Sequence, residues 1–175
     1  MTKSTVRKLA ISALFLAIGM VLPSITGLVR VIGNMLLPMH IPVMLCGIIC
    51  GWQFGGAIGI MLPILRSLIF TMPPMYPNAC AMAVELCTYG VVIGIVYKLV
   101  KDKKGGIFIA LIVSMLSGRI MWGIAISFLT VLAGGTYTFA MYFTRAFIEA
   151  IPGLIIQLIL IPTIIIALRK AKMIE

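Results

Sequence analysis

Charge is what this sequence has least of. Aspartate and glutamate together number four in 175 residues, lysine and arginine 14, and there is one histidine. A soluble domain is roughly a quarter charged. This chain is 10% charged and 62% apolar, so water is not its main solvent. Other absences exclude chemistry. There is no Gly-x-x-x-x-Gly-Lys-Ser/Thr sequence, which excludes a P-loop for ATP. Neither His-Glu-x-x-His nor Gly-x-Ser-x-Gly occurs. His40 is the lone histidine and has no triad around it. The chain is therefore not expected to be an enzyme, and no cofactor is expected. A membrane protein without an ATP site moves a molecule only with a partner or an ion gradient.

What is present is a pattern. Ten of the 14 basic residues fall in three clusters: Lys3, Arg7 and Lys8; Lys98, Lys101, Lys103 and Lys104; Arg169, Lys170 and Lys172. The stretches between them are almost continuously apolar. That combination predicts an integral membrane protein with the basic clusters on the cytoplasmic side. A net charge of +10 would suggest nucleic acid in a soluble protein. Here positive-inside loops and anionic lipid headgroups account for it, and no nucleic-acid partner is expected. The apolar stretch from about Leu9 to Ile25 imitates a signal peptide, yet it is long enough to span and is expected to stay. Cys46, Cys50, Cys80 and Cys87 read as free thiols packed as small hydrophobes. Cys46 and Cys50 share a helix face, but no His or carboxylate joins them, so no metal site is expected.

A spanning helix needs about 20 apolar residues. Six candidates cover 5–26, 41–52, 54–71, 78–98, 106–132 and 140–169. The predicted architecture is all-α: one six-helix transmembrane domain over residues 1–175, both termini cytoplasmic. Six crossings put both termini and the 99–105 loop on one side, which is where the basic clusters fall. The second helix is short. The segment 71–77 carries Pro73, Pro74 and Pro77 and is predicted non-helical. Pro63 is predicted to bend the third helix, and Pro152 and Pro162 the sixth. Trp52 suits an interfacial anchor. Gly47 and Gly51, Gly55 and Gly59, and Gly90 and Gly94 recur at four-residue spacing, which reads as close helix packing rather than a ligand site.

Six charged residues lie outside the clusters and away from Asp102 and Glu175: Arg30, Arg66, Glu85, Arg119, Arg145 and Glu149. Arg30 belongs to a loop over 27–40. The other five fall within predicted spans or at their outer ends. A charge at mid-membrane costs about 2.5–3.5 kcal/mol on insertion scales, so these residues must pair or face a watered cavity. Arg119 lies about 13 residues into the fifth helix, roughly 20 Å from its cytoplasmic end, and Arg66 is at similar depth in the third. Glu85 sits about two turns below the outer end of the fourth helix, and Arg145 and Glu149 in the first turns of the sixth. All five are predicted in the outer half of the bilayer.

Asn78, Glu85 and Tyr89 share one face of the fourth helix, and Arg119 and Trp122 one face of the fifth. Arg145 and Glu149 are four apart and are expected to pair. Together with His40 and Tyr76 these residues form the predicted substrate-binding set: Arg66, Asn78, Glu85, Tyr89, Arg119, Trp122, Arg145, Glu149, His40 and Tyr76. His40 itself reads as a loop-end residue rather than a proton carrier. Loop 27–40 and the proline segment would roof the pocket, with Met72, Met75 and Met82 near its mouth. The competing reading makes all the charges inter-helix salt bridges. Two acids do not neutralise three bases, so a ligand with an anionic group would complete the balance, as would water with a snorkelling Arg145.

Several stretches resemble one family. Leu37-Pro38-Met39-His40-Ile41-Pro42-Val43-Met44, Met72-Pro73-Pro74-Met75, Glu85-Leu86 with Thr88-Tyr89-Gly90, Ala150-Ile151-Pro152-Gly153 and Gln157 through Pro162 are similar to the substrate-binding S components of energy-coupling factor (ECF) transporters. The resemblance covers nearly the whole chain. It implies a six-helix protein of the bacterial cell membrane that captures a vitamin or vitamin precursor from outside. It also implies docking onto a transmembrane T component that carries two ATPases, with ATP hydrolysis toppling the S component to deliver its ligand inward. In the family an Ala-x-x-x-Ala motif on the first helix meets the T component. Ala13 and Ala17 match it here, with Ala10 nearby. The family often has Asn where this chain has Glu149, and an uncharged residue where it has Arg145. The surplus positive charge makes pantothenate the first guess, with riboflavin, pyridoxine or a modified-base precursor as alternatives. Two other functions remain open: a small secondary transporter with Glu85 or Glu149 carrying a proton, and a membrane scaffold subunit.

Overall fold

A computed structural model describes residues 3–26 and 37–171, Lys3 by its backbone only. Arg30, Lys172 and residues 27–36 of the loop expected to roof the pocket lie outside the described residues. The described residues are all-helical, with no strand. In order they are α1 (Lys3–Thr26), α2 (His40–Cys50), α3 (Trp52–Phe70), α4 (Cys80–Val100), α5 (Gly106–Leu132), α6 (Phe139–Phe143) and α7 (Ile151–Lys170).

Among the described residues, five stretches are long and apolar enough to cross a membrane: Ser4–Ile25, Trp52–Phe70, Met75–Val100, Gly106–Leu132 and Phe139–Lys170. The expected sixth span, α2, has 11 residues. At about 1.5 Å per residue it reaches roughly 17 Å, against about 30 Å of hydrocarbon. Among the described residues five stretches therefore reach the length of a span, and α2 does not. What α2 does instead follows from its sequence, which is apolar on every side. Such a helix belongs inside the protein, and His40 through Gly47 and Cys50 are buried. It packs against α1, α3, α4 and α7.

Two wide turns interrupt the helices. Before α4, the Ala79 N–H donates to the Pro74 carbonyl at 3.0 Å, closing a π-type turn over Met75–Ala79 in which Tyr76 is extended. The chain thus stays off the helical path as far as Tyr76, as the three prolines imply, and winds regularly only after it. Between α6 and α7, the Glu149 N–H donates to the Thr144 carbonyl at 2.9 Å, giving a second π-type turn over Thr144–Ile148. The predicted bend at Pro152 thus falls just before the proline, which occupies the first turn of α7. Single π turns are frequent at functional sites.

The glycines of α2, α3 and α4 lie where backbones meet. A Cβ on Gly90 would overlap the Gly55 carbonyl, and one on Gly94 would stand 2.6 Å from the Trp52 nitrogen. With no hydrophobic effect to drive helices together in lipid, contact this close supplies the attraction. Gly90→Val is expected to destabilise the bundle by about 1–3 kcal/mol through overpacking. Thermal unfolding in detergent reads this directly, and an unchanged midpoint would contradict the α3–α4 contact.

The outer face of α1 is bare. Val6, Leu9, Leu14, Ile18, Val21 and Ile25 are exposed, as are Ala10, Ala13 and Ala17. On the opposite face, Ser12 is buried against α2, where it accepts the Cys46 thiol at 3.4 Å. All four cysteines are free.

Candidate substrate-binding cavity

One end of the bundle is hollow. The hollow lies where α1 and α3 end and α2 and α4 begin, with the second half of α5 and the turn 144–148 completing the wall. Its volume is about 690 Å³, within the usual range for small-molecule sites. Pro23 and Ser24 of α1, Leu37 to Met39, and Met72 to Pro74 contribute to the lining. Leu37 (φ 49°), within this lining, and Thr71 (φ 57°), next to it, hold left-handed backbone that non-glycine residues rarely adopt. Met82 also lines the cavity, whereas Met75 does not.

Eight of the ten residues anticipated for substrate binding line this space: His40, Arg66, Asn78, Glu85, Arg119, Trp122, Arg145 and Glu149. Tyr89 and Tyr76 do not. Tyr89 is fully buried one layer beneath, its ring edge-on to His40 with centroids 5.1 Å apart. Gly118 leaves room for that ring, since a Cβ there would come within 2.9 Å of it. Tyr76 is 46% exposed, and its hydroxyl donates to the Leu129 carbonyl at 2.6 Å, tying the turn before α4 to the end of α5. Its extended backbone turns it away from the face that Asn78 and Glu85 share.

Glu85 is the electrostatic centre. Its Oε1 lies 3.1 Å from Arg119 Nη1 and 3.4 Å from His40 Nε2. All three side chains are almost fully buried. His40 is thus no exposed loop-end residue. It opens α2 and is enclosed between Glu85 and Tyr89. Neither contact has hydrogen-bond alignment, and Arg119 Nε and Nη2 have no protein partner.

Arg66 does not join that cluster. Its Nη1 donates to the Met20 carbonyl and, at 3.2 Å, to the Ser24 hydroxyl. Its guanidinium lies 5.0 Å over the Phe70 ring. One side of Arg66 therefore holds α1 to α3 while the residue also lines the cavity. Arg66→Ala is expected to cost about 1.5–3 kcal/mol, the worth of hydrogen bonds from a charged donor. A lowered unfolding midpoint in detergent checks this.

Arg145 and Glu149 are exposed at the rim, and no ion pair joins them. The four-residue pairing rule assumes an α-helix, and the wide turn at 144–148 replaces that helix. Tyr137, outside the spans, lies close enough to feel both charges: burial raises its hydroxyl pKa and Arg145 pulls it back. Trp122 stacks on Tyr142 with centroids 6.4 Å apart, and Phe139 and Phe147 pack on Tyr142 in turn. Sequence reasoning missed this aromatic wall. The signal was the density of aromatics from Tyr137 to Phe147.

Several long apolar helices around a polar cavity define a multi-pass membrane protein with a ligand-sized site. Residues 7–165 match the family model for the ECF transporter, substrate-specific component, and the chain belongs to that family. No curated protein and no solved structure matches the chain.

Proposed function

We propose that this chain is the substrate-capturing subunit of an ATP-driven importer of the bacterial cell membrane. The whole chain acts as one membrane-embedded domain with both termini in the cytoplasm, so that the cavity opens outward. It takes up a vitamin or vitamin precursor there, with pantothenate the first guess and riboflavin, pyridoxine or a modified-base precursor as alternatives. A transmembrane T component and two ATPases supply the work, and toppling of this subunit delivers the ligand inward.

The observation that supports this reading best is the cavity itself. Five charged side chains and a histidine from separate elements gather at one end of an otherwise apolar bundle. A scaffold has no need of such a hollow. The bare small-residue face of α1 is consistent with docking through Ala10, Ala13 and Ala17. The reading predicts ligand uptake in cells that carry the T component and ATPases, and none in cells that lack them. Uptake without the ATPases that collapses with the proton gradient would instead favour a proton-coupled transporter.

A further inference from the structure

We propose that Arg119 anchors one anionic group of the ligand, a carboxylate or a phosphate. This rests on the reading of the cavity as a ligand site and adds the ligand's chemical class and its point of attachment. Arg119 lines the cavity, yet it is 4% exposed. Its Nη1 faces Glu85 at 3.1 Å, while Nε and Nη2 are buried without any partner. A buried donor left empty is costly, more so on a charged group. A guanidinium carries paired N–H groups, the geometry that fits two oxygens of one anion.

The other cations are committed differently. Arg66 already donates to Met20 and Ser24 of α1. Arg145 is exposed at the rim, where water screens it, so it attracts anions without selecting among them. Among the described lining residues, three arginines face two glutamates. The arginines thus exceed the glutamates by one, a surplus that one negative charge on the ligand offsets. Trp122 and Met82 supply apolar contact for the rest of the molecule.

The test uses the purified full-length protein in detergent and matched pairs of probes, each an acid and its neutral counterpart. Suitable pairs are pantothenate and pantothenol, biotin and biotinamide, nicotinate and nicotinamide, and pyridoxal phosphate and pyridoxal. At least one acid is expected to bind about 10- to 100-fold more tightly than its neutral counterpart, as expected for charge-assisted hydrogen bonds in a desolvated site. Arg119→Gln should bring that ratio close to one. Because Arg119→Gln strands Glu85, the paired variant Glu85→Gln with Arg119→Gln is measured as well, and it must give the same loss. Arg119→Lys, which keeps the charge without the fork, should recover part of the preference.

Neutral probes that bind as tightly as their acids in every pair that binds would overturn the anchor. So would a preference for the acid that survives Arg119→Gln. If a neutral probe binds and Asn78→Trp blocks it, the cavity remains the ligand site and only the anchor fails. If no probe binds and the protein retains no small molecule, both fail.

Discussion

Ala13→Arg and Ala17→Arg are each expected to abolish uptake while leaving ligand binding unchanged. Both alanines lie on the bare face of α1, far in sequence from every element of the cavity except Pro23 and Ser24. In the free protein an arginine there extends its stem along the helix and carries its charge toward the interface. Against a partner helix that freedom is gone. Small residues permit the close approach on which helix pairing in lipid depends, and a charge buried there costs about 2.5–3.5 kcal/mol. At about 1.4 kcal/mol per factor of ten, docking should weaken roughly 100-fold. The check pairs two measurements on each variant: radiolabelled uptake in cells with the complete transporter, and equilibrium binding to the purified subunit. Normal transport by either variant would remove α1 as the docking surface.

The largest effect on stability is expected from Glu85→Ala. This change leaves the Arg119 guanidinium buried with no counter-charge. Breaking one side of a buried pair costs about 3–5 kcal/mol, a large part of the 5–15 kcal/mol by which domains are typically stable. The variant should run as aggregate on size-exclusion chromatography or unfold at a much lower temperature. Changing Glu85→Gln and Arg119→Gln together removes both charges and should restore a monodisperse protein. A folded Glu85→Ala protein with an unchanged midpoint would mean that the two side chains are not in contact. The pair of variants also separates a structural role from a binding one, since the double variant folds but loses the anion anchor.

Much of this arrangement was legible in the sequence because of the solvent. In a chain where charge is scarce, every charge inside an apolar run carries information. Counting residues from helix ends placed Arg66, Glu85 and Arg119 at a common depth, and all three line the cavity. The fifth helix was bounded as Gly106–Leu132 because a basic loop precedes it and Gly134-Gly135 follows it. Periodicity failed where the backbone leaves the α-helix. The Arg145–Glu149 pair was assigned by helical spacing, and it falls at a π turn that breaks this spacing. Tyr89 shares the face of Glu85 correctly but lies one turn too deep to reach the cavity.

Partnerships were less visible than positions. Nothing in the order of residues says that Arg66 is tied to α1 while Arg119 meets Glu85, because that choice depends on which helices are neighbours. His40 was undervalued for the same reason. Beside two prolines it reads as loop, and only the burial of α2 brings it between Glu85 and Tyr89. The short α2 was counted as a span on its apolarity, although its length suits a core helix better.

The most direct measurement is of what the protein holds. The full chain, purified from its native membrane in mild detergent, is denatured and the released small molecules are identified by mass spectrometry, beside Asn78→Trp prepared in the same way. Asn78 lines the hollow, and a tryptophan there fills part of it. The wild type should release one small molecule in near-stoichiometric amount, and the monodisperse variant should release almost none. A wild type that releases nothing, or equal release from both proteins, would contradict the assignment of that hollow as the seat of the transported molecule.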